Sequence, residues 1–162
     1  MRRLVLMRHA KTQGSNPGGD HARELLPSGV QDAQEMGKLL ANLGLDLALV
    51  STATRARQTF TALGLGIKAE YLDALYYDGT DSLLRFISEV DPQITGLLVL
   101  GHAPTIPALA AQLSYASDRN ASDKMRCWFP TATFTEFTFE GDWTSLAPFE
   151  LEHVKLERIE RG

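Results

Sequence analysis

Four residues of this chain have the types that handle a phosphoryl group, and each follows a short apolar run. Arg8 and His9 come directly after residues 3–7, Arg55 a few residues after residues 46–50, and His102 after residues 96–100 with only Gly101 between. An arginine keeps its charge, and its planar fork matches the oxygens of a phosphate. A neutral imidazole can attack phosphorus; a protonated one donates a hydrogen bond to a phosphoryl oxygen. Fixed cations stabilise the charge that spreads over the equatorial oxygens as a bond to phosphorus breaks. Each residue also has a plainer reading: His9 packed at a strand end, Arg8 and Arg55 in surface ion pairs, His102 capping the next helix. The same placement after three separate apolar runs weighs against the plainer readings.

The runs that position these residues have the look of buried strands. Residues 67–72 read as a further strand. Between the strands lie helical patterns. Ser28 reads as an N-cap with Gln31 as its capping-box partner, and Val30, Ala33, Gly37 and Leu40 recur at helical spacing ahead of a stop at Gly44. Residues 54–63 form a helical pattern that ends at Gly64, residues 81–90 an amphipathic one, and Pro104 opens a helix through Ala111. Residues 10–27, with Gly14, Pro17, Gly18 and Gly19, read as a loop, and so does the polar run from Asp118 to Arg126, which as a rim could also touch a protein substrate. Residues 131–139 are rich in β-formers, residues 143–157 read as a final strand, and the tail from Glu150 reads as an edge strand with a frayed end.

Continuous apolar strands alternating with helices predict an α/β fold, a three-layer sandwich with a mostly parallel central sheet covered by helices on both faces. In such sheets ligands bind beyond the carboxyl ends of the strands. There Arg8, His9, Arg55 and His102 would converge.

Composition sets outer bounds. The 162 residues carry a net charge of −4 and fit a single domain over 1–162. Mild acidity without a basic stripe argues against nucleic acid as a partner. The single cysteine, Cys127, cannot form an internal disulfide and fits a reducing cytoplasm; it is expected to pack beside Trp128 and Phe129. The N-terminal apolar run is too short for a signal peptide or a spanning helix, and no other segment approaches membrane length, so no membrane partner is expected. His21 and His153 are expected on the surface, and their spacing matches no zinc pattern, so no metal site is assigned.

Three blocks in this order carry a family resemblance. Leu6-Met7-Arg8-His9-Ala10-Lys11-Thr12 resembles the Arg-His-Gly signature of the histidine phosphatase superfamily (phosphoglycerate mutase-like). Ser51-Thr52-Ala53-Thr54-Arg55-Ala56-Arg57-Gln58-Thr59 is similar to its second block, Ser-Pro-x-x-Arg-Ala-x-Gln-Thr, and Gly101-His102-Ala103-Pro104 to its third, Gly-His-x-Pro. Within that superfamily the short SixA-like phosphohistidine phosphatases are the nearest match. Asp20-His21-Ala22-Arg23-Glu24-Leu25 followed by Ser28-Gly29 resembles the Asp-x-x-Arg-Pro-Leu-Thr-x-x-Gly stretch of that branch. Ala10, Thr52 and Glu24 depart from the patterns, and none of them removes a reacting group.

The resemblance implies a phosphatase in which His9 is the nucleophile and carries a transient phosphohistidine. It implies that Arg8, Arg55 and His102 grip the phosphoryl group and that no metal or organic cofactor is needed. Arg23 would touch substrate or brace the loop. No glutamate matches the general acid of the mutase branch. Asp20, in the nucleophile's loop, is the first candidate acid and Asp78 the second, although an aspartate in a glycine-rich loop equally often makes a turn. A phosphohistidine has less need of an acid than an ester, because its leaving nitrogen can already be protonated. The expected substrate is therefore a phosphorylated protein carrying phosphohistidine; the alternatives are a small phosphate ester, or a non-catalytic module that only binds phosphoryl groups.

Overall fold

The computed structural model describes residues 1–146 and 150–162. Its centre is a six-stranded sheet built from β1 (Arg2–Arg8), β2 (Leu47–Ser51), β3 (Lys68–Leu72), β4 (Gly96–Gly101), β5 (Phe134–Phe139) and β6 (Lys155–Glu160). The spatial order is β3-β2-β4-β1-β5-β6. The first four strands are parallel; β5 and β6 run antiparallel at one side. Among the described residues six helices complete the α/β fold: α1 (Pro27–Leu40), α2 (Thr54–Leu63), α3 (Ala74–Tyr77), α4 (Thr80–Ser88), α5 (Thr105–Ser114) and α6 (Arg119–Cys127).

The central strands are apolar without interruption because both of their faces are covered. Leu4, Leu6, Leu97 and Val99 point to one side, where they meet Leu84 and Ile87 of α4, Leu109 of α5 and Met125 of α6. Val5, Met7, Leu98 and Leu100 point to the other, against Ala33, Met36 and Leu40 of α1 and Ala56 and Leu63 of α2. Each of the leucine, isoleucine, valine and methionine side chains among these contributes roughly 1.5–3 kcal/mol when buried. On the second side α1 touches α2 at Gly37, where any Cβ would collide with the Leu63 carbonyl. That contact seats α2, and α2 carries Arg55.

From β1 the chain crosses to β2 on one side of the sheet, and from β4 it crosses towards β5 on the other. The carboxyl ends of β1 and β4, which are hydrogen-bonded neighbours, therefore flank the crevice where an open α/β sheet binds ligands.

Several expectations need correction. α1 begins at Pro27 with Leu26 at its cap and no side-chain cap bond, so Ser28 and Gln31 form no capping box; Pro27, with φ preset and no N–H to satisfy, starts the helix one residue earlier. The helix stops at Leu40, and Gly44 makes its left-handed turn (φ 68°) after a short connecting turn. Val30 is 37% exposed. The run 118–126 is a helix rather than a loop: Asp118 caps α6 by accepting from the Ala121 N–H, and the helix buries only Ser122 and Met125, too few to show a period. Cys127 does not pack inside. A residue two positions beyond Met125 lies about 200° round the helix, so Cys127 is exposed, as is Trp128, while Phe129 is buried. In 131–139 the strand begins only at Phe134, after a left-handed Ala132 (φ 63°). Within 143–157, Trp143–Leu146 is a 3-10 turn and the strand runs Lys155–Glu160; residues 147–149 of that expectation lie outside the described residues. β6 does form the sheet edge. Among the described residues no helix is long and apolar enough to cross a membrane.

Candidate active site

His9 is the first residue past β1, and its backbone is clamped from both sides. Its N–H donates to the Gly101 carbonyl (3.0 Å) at the end of β4, and its carbonyl accepts from the Ala132 N–H (3.0 Å). The side chain is 5% exposed. Nδ1 lies 2.8 Å from the Ala10 carbonyl oxygen. A carbonyl can only accept, so Nδ1 carries the proton and a neutral ring leaves Nε2 with its lone pair. Burial is the main reason that the His9 pKa falls to about 4, and the charges of Arg55, Arg8 and Arg23 push in the same direction. At neutral pH His9 is therefore uncharged, with a lone pair on Nε2.

His102 stands beside it, with the two ring centroids 5.2 Å apart. Its Nε2 is 2.7 Å from the Ser51 hydroxyl at the end of β2, and its Nδ1 is buried without a partner. Burial first, then His9 and Arg55, lowers its pKa to about 3.

Two arginines enter from different elements. Arg55, on the first turn of α2 and 7% exposed, donates from Nη1 to the Asp20 carbonyl (2.8 Å) and from Nη2 to Asp20 Oδ2 (3.2 Å). Arg8, the last residue of β1, donates from Nη1 to the Phe129 carbonyl (2.9 Å), and burial lowers its pKa. The Nε of each arginine is buried without a partner. Together with His102 Nδ1, these are three of the six such side-chain nitrogens among the described residues. A buried donor left unpaired costs about 1–3 kcal/mol, and an anion held beside His9 would supply acceptors.

Asp20 lies in the loop between β1 and α1, in a short 3-10 turn over Asp20–Ala22. It accepts from Arg55, from Arg23 Nη1 (2.8 Å) and from the Tyr76 hydroxyl (2.5 Å). The Tyr76 and Arg23 hydrogen bonds hold its carboxyl well below the usual carboxylate range. Arg23 also donates from Nε to the Gln13 carbonyl (2.7 Å), so it braces the loop while its charge reaches His9. Thus Arg8, His9, Arg23, Arg55, His102 and Asp20 are all brought to one sheet edge. Asp78 is not joined to them: it follows α3 and accepts from Ser82 on α4 (2.7 Å).

Other residues serve the site without having stood out in the sequence. Ser51 holds His102, and its signal was its place at the end of an apolar run. Thr59 accepts from the Ala10 N–H (3.1 Å) and donates to the Arg55 carbonyl (2.7 Å), tying the loop after His9 to α2; it closes the block that contains Arg55. Tyr76 meets His102 edge-on (5.5 Å between centroids), with the Arg55 guanidinium 5.8 Å from its own ring centroid. His21 is exposed, as expected, but leans on Tyr76 (4.8 Å) and reaches the Thr52 hydroxyl (3.1 Å). Among the described residues no cluster of His, Cys, Asp and Glu could hold a metal ion.

The sequence profile of the histidine phosphatase superfamily (branch 1) matches residues 4–76. An uncharacterized protein of Mycobacterium tuberculosis is 38% identical over 146 residues, which covers 88% of this chain and 92% of the relative. A solved structure from Nakamurella multipartitia, provisionally assigned as the phosphohistidine phosphatase SixA, is 35% identical and superposes with a TM-score of 0.87 over 99% of this chain and 95% of that one. The protein histidine phosphatase SixA complexed with tungstate shares the fold at 19% identity (TM-score 0.78, covering 98% of this chain and 96% of that one). The chain belongs to the histidine phosphatase superfamily.

Proposed function

We propose that this protein is a phosphatase that removes phosphate from phosphohistidine in a protein, by way of a phosphoryl group held covalently on His9. The single observation that carries the proposal is the His9 imidazole: buried, neutral, and fixed by the Ala10 carbonyl in the tautomer that leaves Nε2 free.

In the first step Nε2 attacks phosphorus. A P–N bond forms to His9 while the bond to the substrate's nitrogen breaks; the electron pair stays on that nitrogen as a lone pair, and the proton already on the other nitrogen of the substrate's ring lets it leave as a neutral imidazole. The phosphorylated His9 ring keeps its Nδ1 proton, and the Ala10 carbonyl stabilises the positive charge that results. In the second step water attacks phosphorus, the bond to Nε2 breaks, and inorganic phosphate leaves. Arg8, Arg55 and His102 hold the phosphoryl oxygens through both steps. Asp20 enters this scheme as an anchor rather than an acid. Its carboxyl is ionised in the resting site and has no proton to give, whereas its grip on Arg55 fixes one wall of the pocket.

An unassisted leaving group favours phosphohistidine over an ester, since an alkoxide gains more from a proton donor than a protonated imidazole does. A side-by-side turnover assay tests this. The protein meets a phosphohistidine-bearing phosphotransfer protein and a panel of phosphate esters, with His9→Ala as control. Fast, His9-dependent release from phosphohistidine is the expected result. Equal or faster release from an alkyl ester would move the substrate to the small esters. Release by His9→Ala would overturn the mechanism.

A further inference from the structure

Beside the phosphoryl site lies a second cavity, of about 370 Å³, which no step above uses. It shares Arg8 with that site and begins at Ala103, the residue after His102. Pro104, Pro107 and Ala108 at the start of α5 form one wall; Met125 and Arg126 of α6, with Trp128 and Phe129, form the other. The size falls within the roughly 300–1,000 Å³ of small-molecule sites.

Three features point to a ligand. Trp128 is 60% exposed, a large aromatic surface left in water at the mouth of a pocket. Its ring is held in place: the Arg161 guanidinium sits 4.6 Å from its centroid. Finally, the cavity is continuous with the phosphoryl site through one side chain, since Arg8 lines it while donating to the Phe129 carbonyl in its wall. A group occupying the cavity is thus next to a group bound at Arg8. Prolines and an indole present flat, rigid faces suited to a planar ring, and they offer few partners for the hydroxyls of a sugar or glycerol.

We infer that this cavity receives the group that carries the phosphoryl, and that it selects a flat aromatic ring. This inference rests on the phosphatase function proposed above and narrows its substrate class to phosphoryl groups borne on planar rings. The imidazole of phosphohistidine is one source of such a ring, and an aryl phosphate is another.

Binding of non-hydrolysable phosphonates, measured by calorimetry, separates the two claims. Phenylphosphonate is expected to bind roughly tenfold tighter than methylphosphonate, the size of one aromatic contact. Trp128→Ala should bring the two within about twofold of each other, and Trp128→Phe should restore most of the gap. Tyr115→Ala, at an exposed aromatic that follows α5 and does not line the cavity, should leave the ratio as it was. A ratio near one in the unaltered protein, or one that survives Trp128→Ala, overturns the ring subsite while leaving the phosphoryl site intact. If neither phosphonate binds, the phosphoryl site itself is wrong and the subsite falls with it. Turnover in Trp128→Ala then names the source. A drop on the phosphohistidine protein identifies imidazole as the ring, and a drop on phenyl phosphate alone identifies an aryl ester. An equal drop on glycerol phosphate contradicts selection for a ring.

Discussion

The two arginines flanking His9 live in opposite surroundings. Arg55 is anchored at two points: both terminal nitrogens bind Asp20, and Asp20 in turn is held by Arg23 and Tyr76. The Arg8 side chain makes one bond, to a backbone carbonyl, and otherwise borders an apolar cavity. One wall of the site is therefore a network whose members fix one another, and the other is an opening. A network holds charge still where it must meet a phosphoryl group whose geometry never varies. An opening suits the part of the substrate that differs from one phosphate compound to another. On the function proposed above, Arg55 and Asp20 would hold the phosphoryl group, and the Arg8 side would meet the rest of the substrate.

The largest loss is expected on the Arg55 wall. Arg55→Lys should cut kcat/KM by roughly 10²-fold or more, because a lysine cannot reproduce the fork that spans the Asp20 carbonyl and carboxylate. Arg8→Lys should cost less, since a single bond to Phe129 is easier to replace; equal losses in the two variants would erase the distinction. Next comes pH. With the His9 pKa near 4, protonation removes the nucleophile only below that value, so kcat/KM, corrected for the substrate's own ionisation, should hold from neutrality to about pH 4 and then fall. A limb near pH 6.5, the ordinary imidazole value, would mean that His9 is not buried as described. The same two histidines make an acid-sensitive fold. The unfolded chain takes up protons near pH 6.5 that the folded His9 and His102 refuse until about 4 and 3. Stability should therefore fall as pH drops through that window, and His102→Asn should flatten the fall in a denaturation series. Smaller still is Tyr76→Phe. Losing one hydrogen bond to Asp20 should lower kcat by several-fold, with a variant that stays folded. No change would mean that Arg23 and Arg55 suffice to hold the carboxylate. Finally, a chelator should leave turnover unchanged.

Much of this was legible in the sequence for a physical reason. Strands buried on both faces must be apolar throughout, so residues 3–7, 46–50 and 96–100 stood out, and the sheet's geometry sends whatever follows them to one edge. The fold and the convergence of Arg8, His9, Arg55 and His102 came from that alone. The features that escaped depend on three-dimensional neighbours. Tyr76 contacts Asp20 across 56 residues, and no local pattern encodes the pair. α6 buries only Ser122 and Met125, so its period was invisible and the cavity beneath Trp128 with it. Asp20 was placed at the site from its loop, but its ionisation follows from Arg23, Arg55 and Tyr76, which only the folded chain brings together.

The central claim is that phosphate passes through His9. The most direct measurement is rapid acid-free quenching of the enzyme during turnover of a radiolabelled phosphohistidine protein, followed by peptide mapping of the label. An alkali-stable, acid-labile phosphoryl group on the peptide containing His9, absent in His9→Ala, is the predicted result. Turnover with label on another residue, or undiminished turnover in His9→Ala with no labelled enzyme, would contradict it.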